Sequence, residues 1–121
     1  MYSKEIIKRF RKPRFVGEMR KADAVGEVGG FKCGDAMKVY LKVKDNKIKD
    51  IRFLTYGCMA AIASTDMMCE LVKGKTLDEA YKMSNQEIVN GLKGMPAFKV
   101  HCSVLGMRAL RDAIDKYRKK S

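Results

Sequence analysis

The chain has one histidine, and it stands directly before a cysteine in Lys99-Val100-His101-Cys102-Ser103. Two more cysteines occupy similar settings far upstream, Cys33 in Cys33-Gly34-Asp35 and Cys58 in Tyr56-Gly57-Cys58. Three separated cysteines, His101 and Asp35 are five candidates from which a four-ligand set for a soft metal or an iron–sulfur cluster can be drawn. The oxygen of Asp35 is a hard donor and a poor match for such a site, so it would be a weak ligand and would make the site labile, which suits transfer rather than storage. Asp35 also reads as a turn-forming residue after Gly34. His101 reads as a ligand, as a proton-handling group beside Cys102, or as a structural histidine. Lys99 offers positive charge to an anionic cluster or persulfide, or is a surface lysine. The spacing is not that of a compact Cys-x-x-Cys zinc finger.

These residues need elements that bring them together. Cys58 falls where a strand pattern gives way to a helical one, and Cys102 falls just before Ser103, read as the N-cap of the last helix. A helix N-terminus presents unpaired N–H groups and partial positive charge, which stabilise a thiolate, the form that binds metal and accepts sulfur. Cys33 lies in a loop beside Gly34. Cys69, the fourth cysteine, lies in mid-helix about 16 Å along the axis from Cys58 at 1.5 Å per residue. That is too far for one small cluster, and Cys69 shares the stripe of Ile62 and Val72, so it belongs to the core.

In chain order, residues 1–14 form a basic segment with Ile6, Ile7 and Phe10, read as a short helix stopped by Pro13 that packs on the domain or docks a partner. Residues 15–31 are rich in glycine. Val25 and Val28 hint at a strand, Gly29-Gly30 reads as a turn or loop, and no phosphate loop is present, since no Gly-Lys-Ser/Thr follows. From Met37 the sequence alternates, with Met37, Val39, Leu41 and Val43 on one side and lysines and Tyr40 on the other. A turn at Asp45-Asn46-Lys47 leads to a second strand, Ile48 and Ile51–Tyr56, giving an antiparallel hairpin. Met59–Lys73 reads as a helix stopped by Gly74, and Thr76 and Ser84 each open a short helix through a capping box. The last helix runs from Ser103 to Lys119 with Met107, Leu110, Ile114 and Tyr117 on one stripe. The order is strands first and helices second, an α+β class with a small antiparallel sheet and helices on one face.

The 121 residues fit a single domain, 1–121, long enough for a modest core without disulfides. No apolar run reaches the ~18 residues of a membrane span. Without a secretory signal, the four cysteines are expected to be reduced thiols in the cytoplasm. The formal net charge of +12 favours an acidic partner but says nothing about chemistry. Nucleic acid is a weak expectation, because neither a helix-turn-helix signature nor an aromatic stacking platform accompanies the charge.

Around the ligand candidates several motifs agree in order: Cys33-Gly34-Asp35-Ala36-Met37-Lys38, Phe53-Leu54-Thr55-Tyr56-Gly57-Cys58 with Ala61-Ile62-Ala63-Ser64, Val72-Lys73-Gly74-Lys75-Thr76-Leu77-Asp78-Glu79-Ala80, and Lys99-Val100-His101-Cys102-Ser103-Val104-Leu105. From about Pro13 to Tyr117 the chain resembles the iron–sulfur cluster assembly scaffold family of IscU and the N-terminal domain of NifU. The resemblance implies a three-stranded antiparallel sheet, adding a strand near Val25–Phe31. It implies that Cys33, Cys58 and Cys102 hold a 2Fe–2S cluster with His101 or Asp35 as fourth ligand, or zinc on the same residues. It further implies Cys102 as persulfide acceptor, Asp35 in cluster release, and Lys99 near the metal. The expected partners are a cysteine desulfurase as sulfur donor, apo iron–sulfur acceptor proteins and a second copy of the chain when a cluster is bound. The protein is expected to be a scaffold that builds a labile 2Fe–2S cluster from iron and sulfur and passes it on, not an enzyme, with a zinc-binding persulfide carrier partnering a cysteine desulfurase as the alternative. Two departures stand out. Met59 replaces the small residue usual after the middle cysteine, and Met95-Pro96-Ala97-Phe98-Lys99 matches the Leu-Pro-Pro-Val-Lys chaperone motif only at its first proline and its lysine.

Overall fold

In a computed structural model, residues 3–30, 35–55, 59–94 and 100–120 of the backbone are described. The order is α1 (Lys4–Arg11), β1 (Ala24–Gly30), β2 (Asp35–Lys44), β3 (Lys47–Thr55), α2 (Met59–Val72), α3 (Leu77–Tyr81), α4 (Asn85–Gly91) and α5 (Val100–Lys120). The three strands form one antiparallel sheet in the order β1-β2-β3.

The alternation read from Met37 onward holds. Met37, Val39 and Leu41 are buried in the core cluster, while Lys38 on the opposite face is exposed. Tyr40 is also buried, but outside that cluster. A bulge between Lys42 and Val43 breaks the pattern, and Val43 is only partly buried. Asp45 and Asn46 both have positive φ, 54° and 62°, as a tight two-residue hairpin turn requires. Gly29 and Gly30 do not form the expected turn: they are the last residues of β1, paired with Ala36 and Asp35. The ladder of β2 supplies hydrogen bonds there, and tertiary pairing overrides the turn preference of glycine.

Both capping boxes form. The Thr76 and Ser84 hydroxyls accept from the backbone N–H groups of Glu79 and Glu87, whose carboxylates accept from the cap N–H groups in return. Gly74 stops α2 with φ of 90°, and its N–H donates to the Ile48 carbonyl at 2.8 Å. α2 is buried nearly all round, between α1, α4, α5 and β3. A helix with no exposed face is the centre of its layer rather than its cover. α1 packs on α2 through Ile6 and Arg9, so the helix expected in the N-terminal segment lies with one face on the domain.

α5 starts at Val100, three residues before the expected N-cap, so Ser103 is inside the helix. Nothing in Val100-His101-Cys102 forbids helical backbone, and a serine marks a cap only where the chain before it leaves the helix. The stripe of Met107, Leu110, Ile114 and Tyr117 faces the core as read from the spacing.

Candidate metal centre

The strand ends set one pole of the molecule. β1 ends at Gly30 opposite Asp35, the first residue of β2, and Met37 pairs with Thr55, the last residue of β3. The Thr55 hydroxyl donates to the Ala36 carbonyl at 2.8 Å and ties the two strands there. α2 runs back antiparallel to β3, because its far end meets the start of that strand: the Ile48 N–H donates to the Lys75 carbonyl at 2.9 Å. Its first residue, Met59, therefore lies at the same pole as Thr55.

The direction of α5 follows from its contacts. Arg118 pairs with Asp78, and Arg111 donates to the carbonyls of Tyr81 at 3.0 Å and Met83 at 3.2 Å. Leu77, at the start of α3, donates its N–H to the Asn46 carbonyl in the hairpin turn. The C-terminal half of α5 thus reaches toward the turn pole, and its first turn lies at the opposite one. Gly26 sits against Ala109 and Ala113. From there, seven residues of helix back to Cys102 cover about 10 Å and four residues of strand on to Gly30 cover about 13 Å. The two ends arrive at nearly the same level.

Of the six candidate residues, Asp35 is placed at the start of β2, and His101 and Cys102 in the first turn of α5. Cys102 is thus within the helix rather than before its cap, still among the N–H groups that lack an intrahelical partner. Cys33, Cys58, Lys99 and the segment Met95-Pro96-Ala97-Phe98-Lys99 lie outside the described residues. The described residues flanking Cys33 and Cys58, namely Gly30, Asp35, Thr55 and Met59, all stand at the pole where α5 begins. Among the described residues, no group of three or more His, Cys, Asp or Glu side chains could hold a metal elsewhere.

Cys69 is fully buried in the core cluster, ten residues into α2 from Met59, as its place on the Ile62–Val72 stripe implies. Burial, reinforced by the nearby Asp66 carboxylate, pushes its thiol well above the ordinary range. A neutral, enclosed thiol is a poor nucleophile and a poor ligand. In the folded protein Cys69 is expected to resist alkylation by iodoacetamide at pH 8, and to react only in urea. Rapid labelling of Cys69 under native conditions, read by peptide mass, would contradict its core position.

A second polar constellation, with no motif to mark it in the sequence, lies where α1 meets α2. Asp66, in the middle of the apolar run of α2, is fully buried and accepts from Arg9 Nη1 at 2.9 Å and from the backbone N–H groups of Arg14 at 2.7 Å and Phe15 at 2.9 Å. Arg9 also holds Glu5 at 2.8 Å and Glu70 at 2.9 Å. Burial works against the Arg9 charge, but the bonds to Glu70 and Asp66 outweigh it and leave the guanidinium pKa raised. The signal was available as a lone aspartate within Met59–Val72, where no solvent-facing stripe exists to receive it.

Comparison with known proteins now adds to the geometry. The family described as the NifU-like N terminal domain matches residues 1–121. An iron–sulfur cluster assembly scaffold protein IscU of Archaeoglobus fulgidus is 49% identical over 121 residues, covering 100% of this chain and 79% of that one. The iron–sulfur cluster assembly scaffold protein IscU of Haemophilus influenzae is 44% identical over 123 residues, covering 98% and 97%. A solved structure from Fervidobacterium islandicum AW-1, a candidate iron–sulfur scaffold of the SUF system, superposes with a TM-score of 0.78 at 27% identity, covering 93% of this chain and 96% of that one. The three-stranded antiparallel sheet, the helices laid on it and the sequence agreement across the whole chain place the protein in the IscU/NifU-like family of iron–sulfur scaffold domains.

Proposed function

We propose that the protein is a scaffold on which a labile 2Fe–2S cluster is built from iron and sulfur and then passed to apo-acceptor proteins. One observation carries this reading: the elements flanking Cys33 and Cys58 end at the pole where α5 begins with His101 and Cys102. Three thiolates with His101 or Asp35 suit an iron–sulfur cargo, because soft donors hold the irons and one weaker ligand leaves the cluster removable.

Sulfur arrives as a persulfide from a cysteine desulfurase or other donor. The Cys102 thiolate attacks the terminal sulfur of the donor persulfide, and the donor thiolate leaves. An external reductant supplies the two electrons that turn this sulfur into bridging sulfide. The first turn of α5 favours the anionic form of Cys102 in this exchange. On the same reading Lys99, three positions before Cys102 in the sequence, supplies positive charge to the persulfide. The protein turns over no substrate of its own, and a second copy of the chain covers the exposed edge of a bound cluster.

The test is reconstitution with ferrous iron and sulfide under strict anaerobiosis, followed by visible absorption and Mössbauer spectra and transfer to an apo-ferredoxin. A 2Fe–2S signature is expected. Cys33→Ala, Cys58→Ala and Cys102→Ala should each lose the stable cluster, and Cys69→Ala should keep it. Full cluster content in two of the first three variants would sink the ligand set. One tightly held zinc per chain and no cluster would favour the persulfide carrier instead.

A further inference from the structure

α1 has two faces of opposite character. Ile6 and Arg9 point into the domain against α2. Lys4, Ile7, Lys8, Arg11 and Lys12 recur at i, i+3, i+4, i+7 and i+8, so they form one continuous stripe. They line a concave surface of about 380 Å³. Ile7 is 36% exposed within it, and Phe10, one turn on from Ile7, is 39% exposed. Among the described residues none of these four cations has a carboxylate within ion-pair distance, since Glu5 is held by Arg9. The helix is also fixed in place. The Ser3 hydroxyl donates to the Leu92 carbonyl at 2.6 Å, and Arg9 is tied to Asp66 and Glu70. The stripe cannot roll inward to cover Ile7.

We infer that this stripe is a docking surface for an acidic amphipathic helix of a partner protein, with an apolar side chain of the partner seated on Ile7 and Phe10 and its Asp and Glu residues set against Lys4, Lys8, Arg11 and Lys12. Charge complementarity selects the occupant. Four cations with no ion pair among the described residues, beside part-exposed Ile7 and Phe10, reward a ligand that carries both carboxylates and an apolar anchor. A bilayer is the poorer fit: an interfacial helix needs a broad apolar face, and here α1 has spent its other face on α2 and keeps only two part-exposed apolar side chains. A nucleic acid would use the cations and gain nothing from Ile7.

The full-length protein tests this with a defined probe, a fluorescein-labelled synthetic helix with leucines at i, i+3 and i+7 and glutamates on both flanks, followed by anisotropy. Saturable binding that weakens with salt is expected. Lys8→Glu with Arg11→Glu should weaken it roughly tenfold or more, Ile7→Ser should weaken it severalfold, and Lys44→Glu with Lys47→Glu, exposed at the hairpin, should leave it unchanged. A probe with serines in place of the leucines should bind more weakly. Equal binding of the serine probe, or equal losses in the hairpin variant, would reduce the surface to diffuse charge and overturn the proposal. So would binding to phosphatidylserine vesicles or duplex DNA that Lys8→Glu with Arg11→Glu abolishes while the helical probe fails to bind at all. These readouts are independent of cluster assembly.

Discussion

Gly26→Ala is expected to destabilise the protein by about 3 kcal/mol or more, far beyond the usual effect of one added methyl. On propensity alone the change should help, because alanine in a strand costs less conformational entropy than glycine. Gly26 has no positive φ to defend. The contact decides the sign. A Cβ at Gly26 would stand 1.9 Å from the Ala109 carbonyl oxygen, 2.5 Å from the Ala113 nitrogen and 2.9 Å from the Ala113 Cβ. The first two are backbone atoms of α5 and cannot step aside by a rotamer change. The helix must lift off β1, along the surface that also buries Leu110 and Ile114. Equilibrium urea unfolding followed by far-UV circular dichroism measures the loss. Stability equal to or above wild type would mean that α5 does not cross β1 this closely. On the proposed function, the same lifting would move the first turn of α5 away from the strand ends, so reconstituted cluster content should fall together with stability.

Gly26 also marks where the sequence stops being legible. The hairpin could be read because alternation and turn chemistry are local, and the capping boxes because both partners lie three residues apart. Cys69 could be assigned to the core because helix rise alone separates it from Cys58. The glycine-rich stretch 15–31 could not be read the same way. Gly26 is needed for a helix that begins more than seventy residues later, and Gly29 and Gly30 are held in β1 by the ladder of β2. α5 starts earlier than its sequence signal for a related reason, since Ser103 imitates a cap while the helix is set by its packing along the sheet. The candidate ligands were legible as residue types and motifs. That the described ends of β1, β3 and α2 reach the pole where α5 begins depends on the directions of α2 and α5, which only long-range contacts reveal.

Asp66→Ala is the second large effect, expected at about 4 kcal/mol, or roughly a thousandfold in the folded-to-unfolded ratio. A buried ion pair as a whole contributes little, because desolvation of both charges offsets their attraction, but removal of one partner leaves the other buried and uncompensated. Here the aspartate also accepts the backbone N–H groups of Arg14 and Phe15, and both would be orphaned at the junction where the chain turns from α1 toward β3. Arg9 keeps Glu5 and Glu70, which limits the loss. Arg9→Met should therefore cost less than Asp66→Ala, since the carboxylate would retain its two backbone donors. Glu70→Gln should cost under about 1 kcal/mol, as its side chain is 38% exposed and its ion pair is screened by water. Urea midpoints of the three variants give the ranking, and Asp66→Ala within about 1 kcal/mol of wild type would contradict a buried anchor. Because this anchor fixes which face of α1 looks outward, Asp66→Ala should also weaken the acidic helical probe under native conditions, while Glu70→Gln should not. Loss of stability with undiminished probe binding would separate the two roles and show that the cationic stripe acts without the clamp beneath it.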